Sequence, residues 1–268
     1  MRYRNTENGK KNRDKIKFIE FRIIKVQLLF IFLLLWSDFL KAQMYPEWFL
    51  NTDIISCQTS SVGLAARSYY KDTTAIKRAT SDAIDNFFMQ QNLSLDGSQG
   101  YWSTEMGNAW MGNDFIMKID SSEYNMIKET TSILDTFINS NLVMVLCGQK
   151  ECIPNRISKH TVLIDTLNRP RWTEIIPKST DYYYAIGVAP VYLYEFHSWE
   201  SAQKNAILNL AREIQTSIKS LQIKSDVMQE IKEECISVHL KNIQIFKRWK
   251  DVKNNILYVL IRMPRGPD

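Results

Sequence analysis

Histidine is scarce in this sequence, its body has no large excess of charge of either sign, and no apolar run is long enough to cross a bilayer. Its 268 residues hold three histidines, four cysteines and nine glycines. No G-x-S-x-G elbow, H-E-x-x-H pair or phosphate-cradling glycine loop occurs, so the readily recognised serine hydrolases, zincins and P-loop enzymes are excluded. His160, His197 and His239 lie in separate segments, each better read as a surface or hydrogen-bonded residue than as a catalyst. No catalytic residue, metal site or cofactor is expected. The most apolar stretch, Val26–Trp36, is eleven residues long and includes Gln27. It reaches roughly 16 Å, against about 30 Å for a bilayer core.

The net charge of +5 is concentrated at one end. Residues 1–42 carry ten Lys/Arg against four Asp/Glu, a local +6 that leaves the rest at −1. A near-neutral body sets up no field to attract phosphates, so nucleic acid is not an expected partner. A basic start, a short apolar core and "LKA" before Gln43 predict a secretory signal peptide over 1–42, cut after Ala42. Leu40 is larger than the residue preferred two places before a cut. Asp38 and Lys41 argue against an uncleaved anchor extended to Leu40. The first cysteine, Cys57, is too far on to accept a lipid at the new N-terminus.

Export takes the cysteines into an oxidising compartment. Cys57, Cys147, Cys152 and Cys235 allow three complete pairings. "CGQKEC" sets Cys147 and Cys152 on either side of four residues, so a bridge forms if its ends pair as a hairpin. The spacing is not that of a zinc site.

The sequence also repeats. With Pro46 on Pro170, Trp48 falls on Trp172, Gly63 on Gly187 and Ala65 on Ala189, without a gap. Three residues later in the second copy, Ala75, Ala79, Ala83 and Phe87 match Ala202, Ala206, Leu210 and Ile214. A four-residue recurrence marks one helix face, and small residues let a helix approach a sheet closely. Asp72 or Thr73, and Ser198, are N-cap candidates. The helices are predicted over about 73–91 and 199–221.

Beyond the helices, Ser132–Leu146 resembles Gln244–Leu260, with Ile133 and Phe137 on Ile245 and Trp249. Both read as β-hairpins around Asn-rich turns. "EYNMIKETTSILDTF" passes for a helix on propensity alone, but the repeat favours strand. The expected fold is α+β: two tandem β-α-β-β units, each a helix packed on a small, mainly antiparallel sheet. The first unit covers 43–148, with a Gly/Trp-rich insertion at 94–115. A linker or edge strand covers 149–167, including "HTVLIDT", and the second unit covers 168–268. A single intertwined domain stays open.

Pro-x-Trp, an aromatic run into Gly-x-Ala, an alanine-spaced helix and "RWKD…ILYVLIRMP" resemble the LPP-twenty-like lipoprotein domain. That domain is related to the N-terminal domain of flagellar assembly protein T. The second copy carries the pattern in Pro170, Trp172, Tyr184, Gly187, Ala202, Ala206, Trp249, Tyr258, Val259 and Leu260. The first keeps Pro46, Trp48, Gly63, Ala75, Ala79 and Ala83. The resemblance implies an exported Gram-negative envelope protein, often membrane-attached, with no general enzymatic activity. The chain departs from the lipoprotein members in lacking a lipid-acceptor cysteine.

Two features remain. Cys235 and His239 are the nearest Cys/His pair. On the strand favoured there they sit about 13 Å apart, too far to couple. The insertion at 94–115 carries four glycines with Tyr101, Trp102 and Trp110, a binding candidate if the rings face solvent and a lid over the unit's own core if they do not. The leading expectation is a non-catalytic protein of the periplasm or the periplasmic face of the outer membrane. Its partners would be envelope proteins or itself, and peripheral membrane association stays open. The alternative is a peptidoglycan-binding module using Trp102 and Trp110; a periplasmic hydrolase ranks third.

Overall fold

The computed structural model describes residues 44–265 except 56–59, 68–70, 105–106, 120–123, 150–151, 153–156, 165–168, 215–216 and 224–228. For 100–104, 107–113, 119, 217–223 and 229–234 it describes the backbone alone. The proposed signal peptide and Cys57 lie outside the described residues.

The chain opens with β1 (Met44–Pro46), α1 (Glu47–Leu50) and a 3-10 turn, Thr52–Ile54. Then come β2 (Ser60–Ala66), α2 (Asp72–Gln91), β3 (Asn92–Thr104), β4 (Gly107–Ile119), α3 (Tyr124–Thr130), β5 (Thr131–Ile138) and β6 (Leu142–Gln149). A short β7 (Thr161–Leu163), placed where "HTVLIDT" suggests an edge strand, pairs with β1. After a 3-10 turn at Arg171–Thr173 come β8 (Tyr182–Pro190), α4 (Glu195–Ile214), β9 (Ser217–Ile223), β10 (Gln229–Lys241), β11 (Gln244–Asp251) and β12 (Ile256–Pro264).

The fold is α+β and built of two β-α-β-β units. In the first, α2 packs on the antiparallel sheet β2-β6-β5; in the second, α4 packs on β8-β12-β11. The matched glycines explain the alignment. A Cβ on Gly63 would lie 1.8 Å from the Ala79 carbonyl oxygen, and one on Gly187 would lie 1.9 Å from that of Ala202. Each helix rests directly on strand backbone, and the buried Ala79, Ala83, Ala202 and Ala206 permit the approach.

Both closing hairpins turn on asparagine, as read. The Asn139 side chain accepts from the N–H groups of Asn141 and Leu142 at 2.9 and 2.8 Å. Asn255 takes the left-handed conformation at φ 53°, which asparagine tolerates better than most residues.

The edge strands β2 and β8 have their outer backbone groups occupied by helix side chains. Leu64 N–H donates to Asp82 at 2.7 Å, and Asn86 donates to the Val62 carbonyl at 3.0 Å. Asn205 and Asn209 donate to the carbonyls of Val188 and Ile186, each at 2.8 Å. Such bonds close an edge against further strands.

The fourth sheet, β4-β3-β10-β9, is shared. Each unit inserts a hairpin between its helix and its closing strands, and β3 of the first pairs antiparallel with β10 of the second, from Asn92↔Lys241 to Ser103↔Glu230. The first hairpin occupies the predicted insertion. The second is unforeseen: α4 starts at Glu195 and ends at Ile214, and the stretch read as its last turns is strand β9. Ser198 is therefore no N-cap. It lies inside the first turn, where its hydroxyl accepts from Tyr192 N–H at 2.7 Å. Helix α2 starts at Asp72, behind Lys71, without a side-chain cap bond. The ambiguous segment before Phe137 is split, helix to Thr130 and strand from Thr131.

The largest core cluster joins both units. Val62, Leu64, Met144 and Leu146, on the sheet face away from α2, meet Tyr45, Trp48 and Phe49, Trp199 and Ile207 of α4, and Val259 and Ile261 of β12. Helix α4 thus touches its own sheet and β2 of the first unit. Trp48 is fully buried and donates to Asp135 at 2.9 Å, a packing residue as read, while Trp172 is half-buried.

The proposed Cys147–Cys152 bridge is not formed. Cys147 is free and Cys152 is disulfide-bonded elsewhere. Strand alternation gives the reason. Cys147 points under α2 with Ala75, Ala79 and Val145, while Cys152 lies against Gly148, on the opposite face of β6.

Candidate functional site

The sequence candidates are scattered. In the inserted hairpin, Tyr101 stands opposite Trp110 and Trp102 opposite Ala109; the side chains of all three lie outside the described residues. Cys235 and His239 both fall on β10, as read, and His239 meets Ser94 at 2.9 Å. His197 pairs with Glu200 at 3.1 Å, and His160 lies near Glu47 at 3.8 Å. Among the described residues no group of three or more His, Cys, Asp or Glu is placed to hold a metal ion.

The concentrated chemistry lies at the seam between the units. Residues 44–55 of the first unit run across the second. Thr52 donates from its hydroxyl to the carbonyls of Ile245 and Phe246 at 2.7 and 3.1 Å, and Arg248 donates to the Phe49 carbonyl at 2.9 Å. Deeper in, Glu195 at the start of α4 accepts from the Tyr45 hydroxyl, from Trp199 Nε1 at 3.2 Å and from Lys250 Nζ at 3.1 Å. Burial, then the charge of Glu195, pushes the Tyr45 hydroxyl well above its ordinary pKa. Tyr45 stacks on Phe49 at 5.4 Å, and both meet Trp199 edge-on at 6.1 and 5.2 Å. This cluster is a clamp: every charge in it is answered and enclosed.

In the same seam lies a cavity of about 240 Å³, whose lining includes the polar Thr52, Asp53, Ser60, Gln90, Gln244, Arg248 and Arg262 and the apolar Ile55, Val62 and Ile245. Arg262 donates to Gln244 at 2.7 Å, pairs with Asp53 at 3.2 Å and lies over the rings of Phe246 and Tyr182 at 4.1 and 4.9 Å. Arg248 is only 4% exposed and lies over Phe49 at 4.6 Å. Burial pulls its pKa from 12.5 down to about 9, opposed by the charge of Asp82. Burial also raises Asp82 to about 6, against the bond from Leu64 N–H. Two guanidinium groups thus stand among polar side chains, with N–H donors that an anion could engage. They supply no nucleophile paired with a base.

Sequence reading passed over both arginines. In "IFKRWKD" the alternation marks Trp249 as the inward residue. In the sheet, Arg248 and Lys250 stand opposite Val259 and Leu257, on the α4 side, and Trp249 stands opposite Tyr258. The one available signal was the run of cations on a strand expected to be covered.

No protein-family model, curated protein or solved structure matches this chain.

Proposed function

We propose that this is a non-catalytic, exported cell-envelope protein that works by binding envelope partners or further copies of itself. The observation that carries the reading is the join between the units. The first strand of one inserted hairpin, β3, pairs with the second strand of the other, β10. Such a pairing is head-to-tail rather than two-fold. It leaves a complementary pair of edges: among the described residues, β4 and β9 each have a neighbour on one side only. A second copy offers β4 to β9 in the antiparallel sense the sheet already uses. The edges of β2 and β8 are occupied by their helices, which closes those two edges to strand addition.

The disulfide at Cys152 and the basic-apolar segment 1–42 support an address outside the cytoplasm. Among the described residues no helix is long and apolar enough to cross a membrane. Surface contact with a membrane or partner has a candidate in Leu193, 91% exposed between the exposed Tyr192 and Tyr194.

Sedimentation and hydrogen exchange at rising protein concentration test the self-association arm. Growing mass with slowed exchange in 107–119 and 217–223 is the expected result; constant mass and exchange remove that arm. Fractionation of expressing cells tests the address, which fails if the chain stays cytoplasmic with residues 1–42 attached. The glycan reading draws on Tyr101 standing opposite Trp110, and sedimentation with purified peptidoglycan separates it from the protein-binding one.

A further inference from the structure

We propose that the cavity between the two units is an oxyanion-binding site, with Arg248 and Arg262 as its cationic contacts. The ligand class is a small solute bearing a phosphate or carboxylate group.

The first argument is the environment of Arg248. A buried guanidinium loses its hydration, and proteins normally compensate with a carboxylate. Arg248 is 4% exposed, yet among the described residues no carboxylate lies within ion-pair distance, and its one hydrogen bond is to the Phe49 carbonyl. A guanidinium carries five N–H donors, so most of its donor capacity is unused by protein while the side chain lines the cavity. Asp82 acts on it only through space, and burial weakens that help by raising Asp82 to about 6.

The second argument is preorganisation. Arg262 is held by Gln244 and Asp53 and lies over the Phe246 ring at 4.1 Å. A guanidinium fixed in orientation binds an anion without the entropy cost of ordering a long side chain. Asp53 answers one of the two positive charges at the mouth, where it is 45% exposed. That leaves one cation facing the interior, matched to a single anionic group.

Size sets the third limit. A cavity of about 240 Å³, a little below the usual range of small-molecule sites, takes a phosphate or carboxylate with a short substituent. Thr52, Ser60 and Gln90 complete a polar wall that suits a hydrophilic substituent.

The test is calorimetric titration of the full chain with inorganic phosphate and, separately, with succinate, at constant ionic strength against chloride. Saturable one-site binding tighter than about 1 mM is expected for at least one of the two. Phosphate preference assigns a phosphorylated solute, and succinate preference a carboxylate. Arg262→Gln, at the cavity mouth, should weaken binding roughly tenfold or more, since hydrogen bonds to charged groups are the strong ones. Arg248→Met keeps the apolar stem over Phe49 and should abolish binding, with circular dichroism checking its fold. No saturable binding by either anion, or the same affinity in wild type and Arg262→Gln, overturns the assignment.

Discussion

At the scale of single residues, the two matched glycines make the most exacting demand. Alanine at Gly63 or Gly187 would drive a methyl group to within 2 Å of helix backbone, which no rotamer change relieves. Each substitution should cost at least about 3 kcal/mol, at the upper end for overpacking. Matched urea titrations check this, and a loss below about 1 kcal/mol at either position would contradict the contact. Asp82 gives a prediction in pH. Burial raises its folded pKa from 3.8 to about 6, so between those values the folded chain binds more protons than the unfolded one. Stability therefore falls as pH rises across that window, and the full penalty applies above about 6. At 1.36 kcal/mol per pH unit it is roughly 3 kcal/mol, a net figure that already includes the attraction of Arg248. Asp82→Asn keeps an acceptor for Leu64 N–H and should flatten the profile, gaining at pH 7.5 and matching wild type at pH 4. Parallel profiles would show that the carboxylate carries no such penalty.

At the scale of elements, what could be read was what each element states locally. A helix face announces itself every four residues through Ala75, Ala79 and Ala83, and a glycine at constant offset announces the strand it crosses. Asn139 and Asn255 mark turns because their side chains or backbones do what the turn requires. The boundaries were illegible for a physical reason. "SIKSLQI" suits a helix or a strand on pattern alone, and pairing with β10 decides for strand. "YNMIKET" has helix propensity, and Tyr124 stacking on Phe88 at 5.0 Å keeps it helical although the other unit has no matching helix. The Cys147–Cys152 expectation failed because spacing ignores which face of a strand each sulfur leaves from. Burial pushes the Cys147 thiol up to about 12, and the thiolate is the reactive form. Native alkylation should therefore leave Cys147 unlabelled, unfolding should expose it, and non-reducing peptide maps should show no 147–152 cross-link. Labelling of the folded protein at Cys147 would place it elsewhere than under α2.

At the scale of the whole molecule, the seam was hidden because its partners are far apart in sequence. Tyr45 meets Glu195 across 150 residues, and Arg248 meets Phe49 across 199. No local pattern records such pairs. Arg248 and Lys250 even break the apolar-inward rule of their own strand, so the candidate cavity could not be read in advance. The same distances make the two units mutually dependent. Helix α4 is covered by the first unit's sheet as well as its own, and the clamp around Glu195 takes donors from β1, α4 and β11. A core of this kind unfolds as one, so scanning calorimetry of the chain should show a single transition. Lys250→Met removes the ammonium from a pair whose side chains are 9% and 4% exposed. Glu195 is then left buried with its neutral donors, a change that costs about 3–5 kcal/mol when an ion pair is broken on one side. For a chain of this size the transition should fall by roughly ten degrees and stay single. Two separate transitions, only one of them moved by Lys250→Met, would mean that each unit closes its own core and that the seam binds them only loosely.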